Sequence, residues 1–261
     1  MRIQFLDPAP VTALRYRNAR PGSGGSIVVS LPVFVGTVDV LPAGVSALIL
    51  TSDLQGRELA GPKLVGEVVP RFLAESGVVH DPATAVALLA GDLYAAPAAD
   101  VRGATGDVRQ VWRAFADAFR WVAGVCGNHD LFGEETSDGF ARTLGVDILD
   151  GSVRDVGGLL VGGVNGIVGK LSRPNRKDEA TFSRLLEDVF LESPDVVVLH
   201  QGPVGNAPRD KGSIEVRETI EALDAPPLVA FGHCHWEQPL LEVGHAQMLN
   251  VDGRVVVLRA A

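Results

Sequence analysis

The chain has 261 residues, 46% of them hydrophobic and 21% charged, which is enough to bury one large core and excludes a disordered chain. Its formal net charge of −9 argues against a surface built for long nucleic acids. Small phosphorylated ligands stay open, because a bound cation dominates its local field.

In chain order, residues 1–45 read as β structure. Ile27-Val28-Val29, Val33-Phe34-Val35 and Val38/Val40 are β-branched or aromatic runs, and residues 21–26 form a Gly/Ser-rich connection. The N-terminus carries Arg2 and Pro8 where a secretory signal needs an apolar stretch. The most apolar region, residues 26–50, is broken by Pro32, Gly36, Asp39, Pro42 and Gly44, so no membrane-spanning helix is expected there. From residue 47 short apolar runs alternate with amphipathic periods. Residues 47–50, 86–89, 122–125, 196–199 and 228–231 read as buried strands. Three helical faces stand between or after them. The first is Val108, Val111, Trp112, Phe115 and Phe119. The second is Phe182, Leu185, Leu186 and Val189. The third is Val216, Ile220 and Leu223, behind Ser213 as N-cap. Residues 95–106 read as a long irregular connection. Residues 246–250 and 254–258 read as a hairpin around Asp252-Gly253. The expected organisation is an N-terminal β extension, residues 1–45, packed on a core of residues 46–261.

Five segments with metal-binding side chains fall just after strand-like runs: Asp53-Leu54-Gln55-Gly56, Gly91-Asp92, Gly127-Asn128-His129-Asp130, His200 and Gly232-His233-Cys234-His235. Taken singly, Asp53 and Asp92 are better explained as caps or turns. In an α/β sheet, however, the ligand crevice lies beyond the carboxyl ends of the strands, so all five should converge. Four of the six histidines lie in these segments. His233 and His235, two apart on extended backbone, point the same way. The two cysteines, Cys126 and Cys234, each sit beside a candidate ligand. They suggest buried packing and a reducing compartment rather than a disulfide, and a cytoplasmic protein is expected.

On these motifs, residues 47–258 resemble the calcineurin-like metallophosphoesterase superfamily. The resemblance implies an α/β/β/α sandwich, two packed mixed sheets flanked by helices. It also implies a dinuclear site that hydrolyses a phosphate mono- or diester through a metal-bound hydroxide. It assigns Asp53, Asp92 and His235 to a first cation. It assigns Asp92, Asn128, His200 and His233 to a second, with Asp92 bridging and His129 acting on the phosphate as an acid. The mixed N/O donors suit two divalent ions of the Mn²⁺, Fe²⁺, Zn²⁺ or Co²⁺ class, with Mn²⁺ preferred. No arginine follows Asp92 in Leu93-Tyr94-Ala95-Ala96-Pro97, unlike the protein serine/threonine phosphatases, so the resemblance is closer to the phosphodiesterase and small-molecule phosphatase branch.

Gln55 departs from the pattern, standing where the family has a histidine ligand of the first cation. An amide oxygen is the weaker donor, so that site should be looser or favour a harder ion such as Mn²⁺. The substitution also keeps open a second reading, a phosphoesterase-fold binding or scaffold module with little catalysis. Arg57, Arg209 and Lys211, and the basic run Lys170, Arg173, Arg176 and Lys177, are candidates to hold a small phosphorylated substrate, though a solvated surface explains each as well.

Overall fold

The computed structural model of the chain describes residues 1–22 and 24–261; Ser23, inside the expected Gly/Ser-rich connection, lies outside the described residues. Two mixed sheets carry the fold. In the first, the strands Asp147–Ile148, Trp121–Gly124, Val86–Leu89 and Leu48–Thr51 run parallel. Val255–Ala260 joins antiparallel to Leu48–Thr51, followed by Ser26–Val38, Thr12–Ala19 and Arg57–Glu58. The second sheet runs in the order Ser152–Val156, Leu159–Val164, Val196–Leu199, Leu228–Phe231, Ala246–Asn250 and Leu240–Val243, parallel through its centre.

Alternation along the strands explains why these sheets face each other. In Leu48–Thr51, Ile49 packs into a cluster with Val111, Trp112 and Phe115, while Leu48 and Leu50 join Val196, Val198, Leu228 and Ala230. The other faces of those second-sheet strands, Val197, Leu199, Val229 and Phe231, pack on Phe182, Leu186, Val216 and Ile220. Each central strand is therefore apolar on both faces, and the order of layers is helix, sheet, sheet, helix. The outer layers are α1 (Val65–Glu75), α2 (Arg109–Ala118) and α3 (Ser137–Leu144) on one side, α4 (Glu179–Leu191) and α5 (Ile214–Glu221) on the other. Ser213 caps α5 as expected, its Oγ accepting from Val216 N at 3.1 Å. No helix among the described residues is long and apolar enough to cross a membrane.

Two expectations are corrected. The N-terminal apolar runs join into one 13-residue strand, Ser26–Val38, which pairs with Val255–Ala260 along six residues. Residues 1–45 thus continue the main sheet instead of lying against it. The expected C-terminal hairpin does not form either. Ala246–Asn250 belongs to the second sheet and Val255–Ala260 to the first. Both strands are buried on both faces over most of their length, and a two-stranded ribbon could not cover them. Asp252-Gly253 is instead the point where the chain crosses between the sheets.

Candidate metal centre

The four parallel strands Leu48–Thr51, Val86–Leu89, Val196–Leu199 and Leu228–Phe231 end together, each followed within a few residues by a polar side chain. Asp53, Asp92 and His233 adopt left-handed backbone, with φ of 54°, 55° and 62°. Such non-glycine conformations cost of order 1–3 kcal/mol each and gather at functional sites. Two glycines permit the loops to meet. A Cβ on Gly127 would overlap the backbone N and carboxylate of Asp92, and one on Gly232 would overlap Ser52 Oγ. Gly127→Ala should therefore force the Asp92 and Asn128 loops apart, at a cost of about 1–3 kcal/mol. Thermal melting checks this, and an unchanged transition would refute the close approach.

Hydrogen bonds then fix each side chain. Asp130, buried at 1% exposure, accepts from Asp92 N at 2.9 Å, Leu93 N at 2.8 Å and Gly127 N at 2.8 Å, tying two loops together. Burial, with the Asp92 charge, pushes its carboxyl up to about 6, against the backbone donors that lower it. Its position in the Asn128-His129-Asp130 motif was visible in the sequence, but its tethering role was not. Asp53 Oδ2 accepts from Ser52 Oγ at 2.7 Å and His233 N at 2.9 Å. Asp92 accepts from His129 N at 2.9 Å and from Gln55 Nε2 at 2.9 Å.

His200 lies at 0% exposure, its Nδ1 2.7 Å from Ala90 O and its Nε2 3.4 Å from Asp92 Oδ1. The carbonyl requires an Nδ1–H, which turns Nε2 toward the cleft. Burial pulls this imidazole down, but the Asp92 carboxylate outweighs it and raises the ring to about 10. The same pair holds Asp92 below its usual value against burial. His233 moves the other way: desolvation and then the His200 charge pull it to about 4. His129 Nδ1 lies 3.0 Å from Thr105 Oγ1, and burial lowers its pKa although Asp92 opposes. At neutral pH His129 is thus a neutral ring. When the Thr105 hydroxyl donates to Nδ1, Nε2–H becomes a donor.

One donor atom from each of Asp92, His200 and His233 lies within 4.8 Å of the others. His200 Nε2 and Asn128 Oδ1 are buried without a hydrogen-bond partner among the described residues. Buried polar atoms without a partner are costly, and a cation ligated by both, once the His200 proton has left, relieves them. The residues present therefore fit the implied second cation. Asp53, Gln55, Asp92, His129, His233 and His235 line one cleft of about 520 Å³. Tyr16, Asn18, Ile27 and Val29 wall the same cleft, so the N-terminal hairpin belongs to the site. Arg209 and Lys211 line an adjoining cleft with Arg102, His233 and His235. Arg102, within the irregular connection, was not singled out in the sequence.

Arg57 is placed elsewhere. Its guanidinium donates to Ala95 O at 3.1 Å, Ala96 O at 3.3 Å and Pro62 O at 2.5 Å, and lies 5.6 Å from the Tyr94 ring. It pins a loop and does not line the cleft. Lys177 is likewise engaged, 3.0 Å from Asp150 Oδ1 and 2.7 Å from Asn165 Oδ1.

No family model matches the sequence, and no curated protein does. Among solved structures, TT1561 of Thermus thermophilus is similar at a TM-score of 0.54 and 18% identity, covering 79% of this chain and 88% of that one. The phosphopantetheinyl hydrolase PptH from Mycobacterium tuberculosis aligns at a TM-score of 0.44 and 16% identity, covering 80% and 90%. The calcineurin-like phosphoesterase YfkN from Bacillus subtilis aligns at 0.45 and 12%, covering 76% and 74%. The likeness to TT1561 is one of fold. The architecture is the α/β/β/α sandwich that the motifs led us to expect.

Proposed function

We propose that the chain is a metal-dependent phosphoesterase of the calcineurin-like superfamily, hydrolysing a small phosphate mono- or diester at a dinuclear centre. The carrying observation is the pair of buried, unpartnered donor atoms, Asn128 Oδ1 and His200 Nε2, beside the converging Asp92 and His233. Asp92, Asn128, His200 and His233 would hold one divalent cation, and Asp53, Asp92 and His235 the other, with Mn²⁺ the preferred ion. When bound, the two cations supply Lewis acidity that draws charge from phosphoryl oxygens and lowers the pKa of a water nucleophile.

The chain's own groups do the rest. Asp53 and Asp92 are held by backbone N–H groups, so their oxygens are fixed before substrate arrives. His129 presents Nε2–H toward a phosphoryl or leaving oxygen. Arg102, Arg209 and Lys211 enter no ion pair among the described residues and make the adjoining wall cationic within an acidic protein. That wall suits the anionic remainder of a small substrate. Long nucleic acid is disfavoured by the net charge.

One observation favours the binding-module reading. Gln55 spends its Nε2 on Asp92, so the first cation gains at most the weaker amide oxygen from this position. Hydrolysis of a chromogenic phosphodiester and the matching monoester with added Mn²⁺ separates the two readings. We expect turnover on one ester and its loss in Asn128→Ala. No turnover on either ester with Mn²⁺, Zn²⁺, Fe²⁺ or Co²⁺ would support the binding module instead.

A further inference from the structure

Gln55 leaves the first cation one strong donor short, and the fold brings another carboxylate to the place. Asp252 sits on the crossover between the two sheets. It bridges to Ser52, next to Asp53, and Gly253 N donates to Ser52 O at 3.1 Å. Asp252 N donates to Asn250 Oδ1 at 3.2 Å, which fixes the backbone on the other side. Its side chain is 16% exposed and lines the same cleft as Asp53, Gln55, Asp92 and His235, with Oδ2 3.9 Å from His235 Nδ1.

The carboxylate has little else to do. It accepts no hydrogen bond from any described residue. The cation nearest in sequence, Arg254, directs Nε to the Asp252 carbonyl at 3.3 Å and a terminal nitrogen to Trp236 O at 2.7 Å. Asp53 and Asp252, with no cationic side chain hydrogen-bonded to either, thus stand beside His235, which the resemblance gives to the first cation. A buried carboxylate is held only when it is paired or ligates a metal.

Resting on the phosphoesterase reading, we infer that Asp252 is a ligand of the first cation, replacing the histidine that Gln55 displaces. The first site then draws on the carboxylates of Asp53, Asp92 and Asp252, with His235 as its one nitrogen. The second keeps two imidazoles, His200 and His233. An oxygen-rich donor set favours Mn²⁺ over softer ions, whereas imidazole suits Zn²⁺. The centre is therefore asymmetric, with the harder ion on the Asp252 side.

Calorimetric titration of the metal-free protein with Mn²⁺, and separately with Zn²⁺, tests this without any turnover. The wild type should bind two Mn²⁺ ions. Asp252→Asn should weaken one step by at least about 10–100-fold and leave the other unchanged. The Mn²⁺ electron paramagnetic resonance spectrum should change in parallel, from an exchange-coupled pair to an isolated ion. Because nothing bonds to this carboxylate, Asp252→Asn should melt in EDTA no lower than the wild type. Asp252→Ser provides the second variant should the amide misfold. Both steps unchanged in either folded variant would overturn the assignment of Asp252 while leaving the phosphoesterase reading intact. A wild type that binds no Mn²⁺ would overturn both.

Discussion

His129→Ala should lower kcat by about 10²–10⁴-fold, the range for removing a positioned proton donor, while leaving Mn²⁺ binding unchanged. The backbone of this residue is anchored by His129 N donating to Asp92 Oδ1 at 2.9 Å, and its ring rests against Thr105 Oγ1 at 3.0 Å. The groups that orient the ring survive the substitution, and the resemblance gives this side chain to neither cation. The loss should be larger for a poor alkoxide leaving group than for a nitrophenolate, which departs without a donor. Since burial lowers the His129 pKa below its usual value, the ring should stay a neutral hydrogen-bond donor through pH 7 to 8, and the His129-dependent part of the rate should not fall across that range. Steady-state kinetics on two esters with different leaving groups, beside a metal titration, reads all of this. An equal loss on both esters would assign His129 to phosphate binding alone. A loss of Mn²⁺ affinity in the variant would show that the residue acts through the metals.

The central strands were legible because each is a short run apolar on both faces, a pattern that only a sheet covered on two sides can satisfy. Residues 86–89, 196–199 and 228–231 form strands where the pattern placed them. Helix α1 was not legible. Gly66 and Pro70 interrupt its period, yet Gly66 is what lets it approach α2, where a Cβ would press into Val111. The crossover at Asp252 was misread for a related reason. Asp-Gly between apolar runs is a strong local hairpin signal, and only the double-sided burial of both flanking strands, a tertiary fact, sends them to different sheets. That misreading hid Asp252 from the site. Asp53, Asp92 and Asn128 were legible together because the strand ends of one parallel sheet share an edge; that His200 and His233, ending strands of the second sheet, meet them depends on how the two sheets face each other. Arg57 was misplaced because proximity in sequence to Gln55 says nothing about which carbonyls compete for a guanidinium. Tyr16 and Asn18 were invisible because their hairpin precedes every motif and reaches the cleft through long-range pairings, Ser26–Val38 with the C-terminal strand and Tyr16 with Glu58.

Metal affinity at the second site should rise steeply with pH, by about tenfold per unit below the pKa of His200 and thus about 100-fold between pH 6 and 8. The cause is competition for one atom. In the metal-free protein Asp92 holds a proton on His200 up to about pH 10, and that proton occupies the Nε2 a cation must take. His233 adds nothing to the slope in this window, because desolvation and the His200 charge pull it to about 4 and it is already neutral. The sign for stability runs the other way. A raised folded-state pKa makes the His200–Asp92 pair fully stabilising below the unfolded value of 6.5, and that contribution is lost as pH rises toward 10. The metal-free protein should therefore lose this stabilisation over the range in which cation binding strengthens, so the rise in Tm on adding Mn²⁺ should widen with pH. Calorimetry at pH 7 in buffers of different ionisation enthalpy should show one proton released per ion entering this site. A Kd that is flat from pH 6 to 8, with no dependence of the heat on buffer, would mean that His200 is already neutral in the free protein and that its pairing with Asp92 carries no charge.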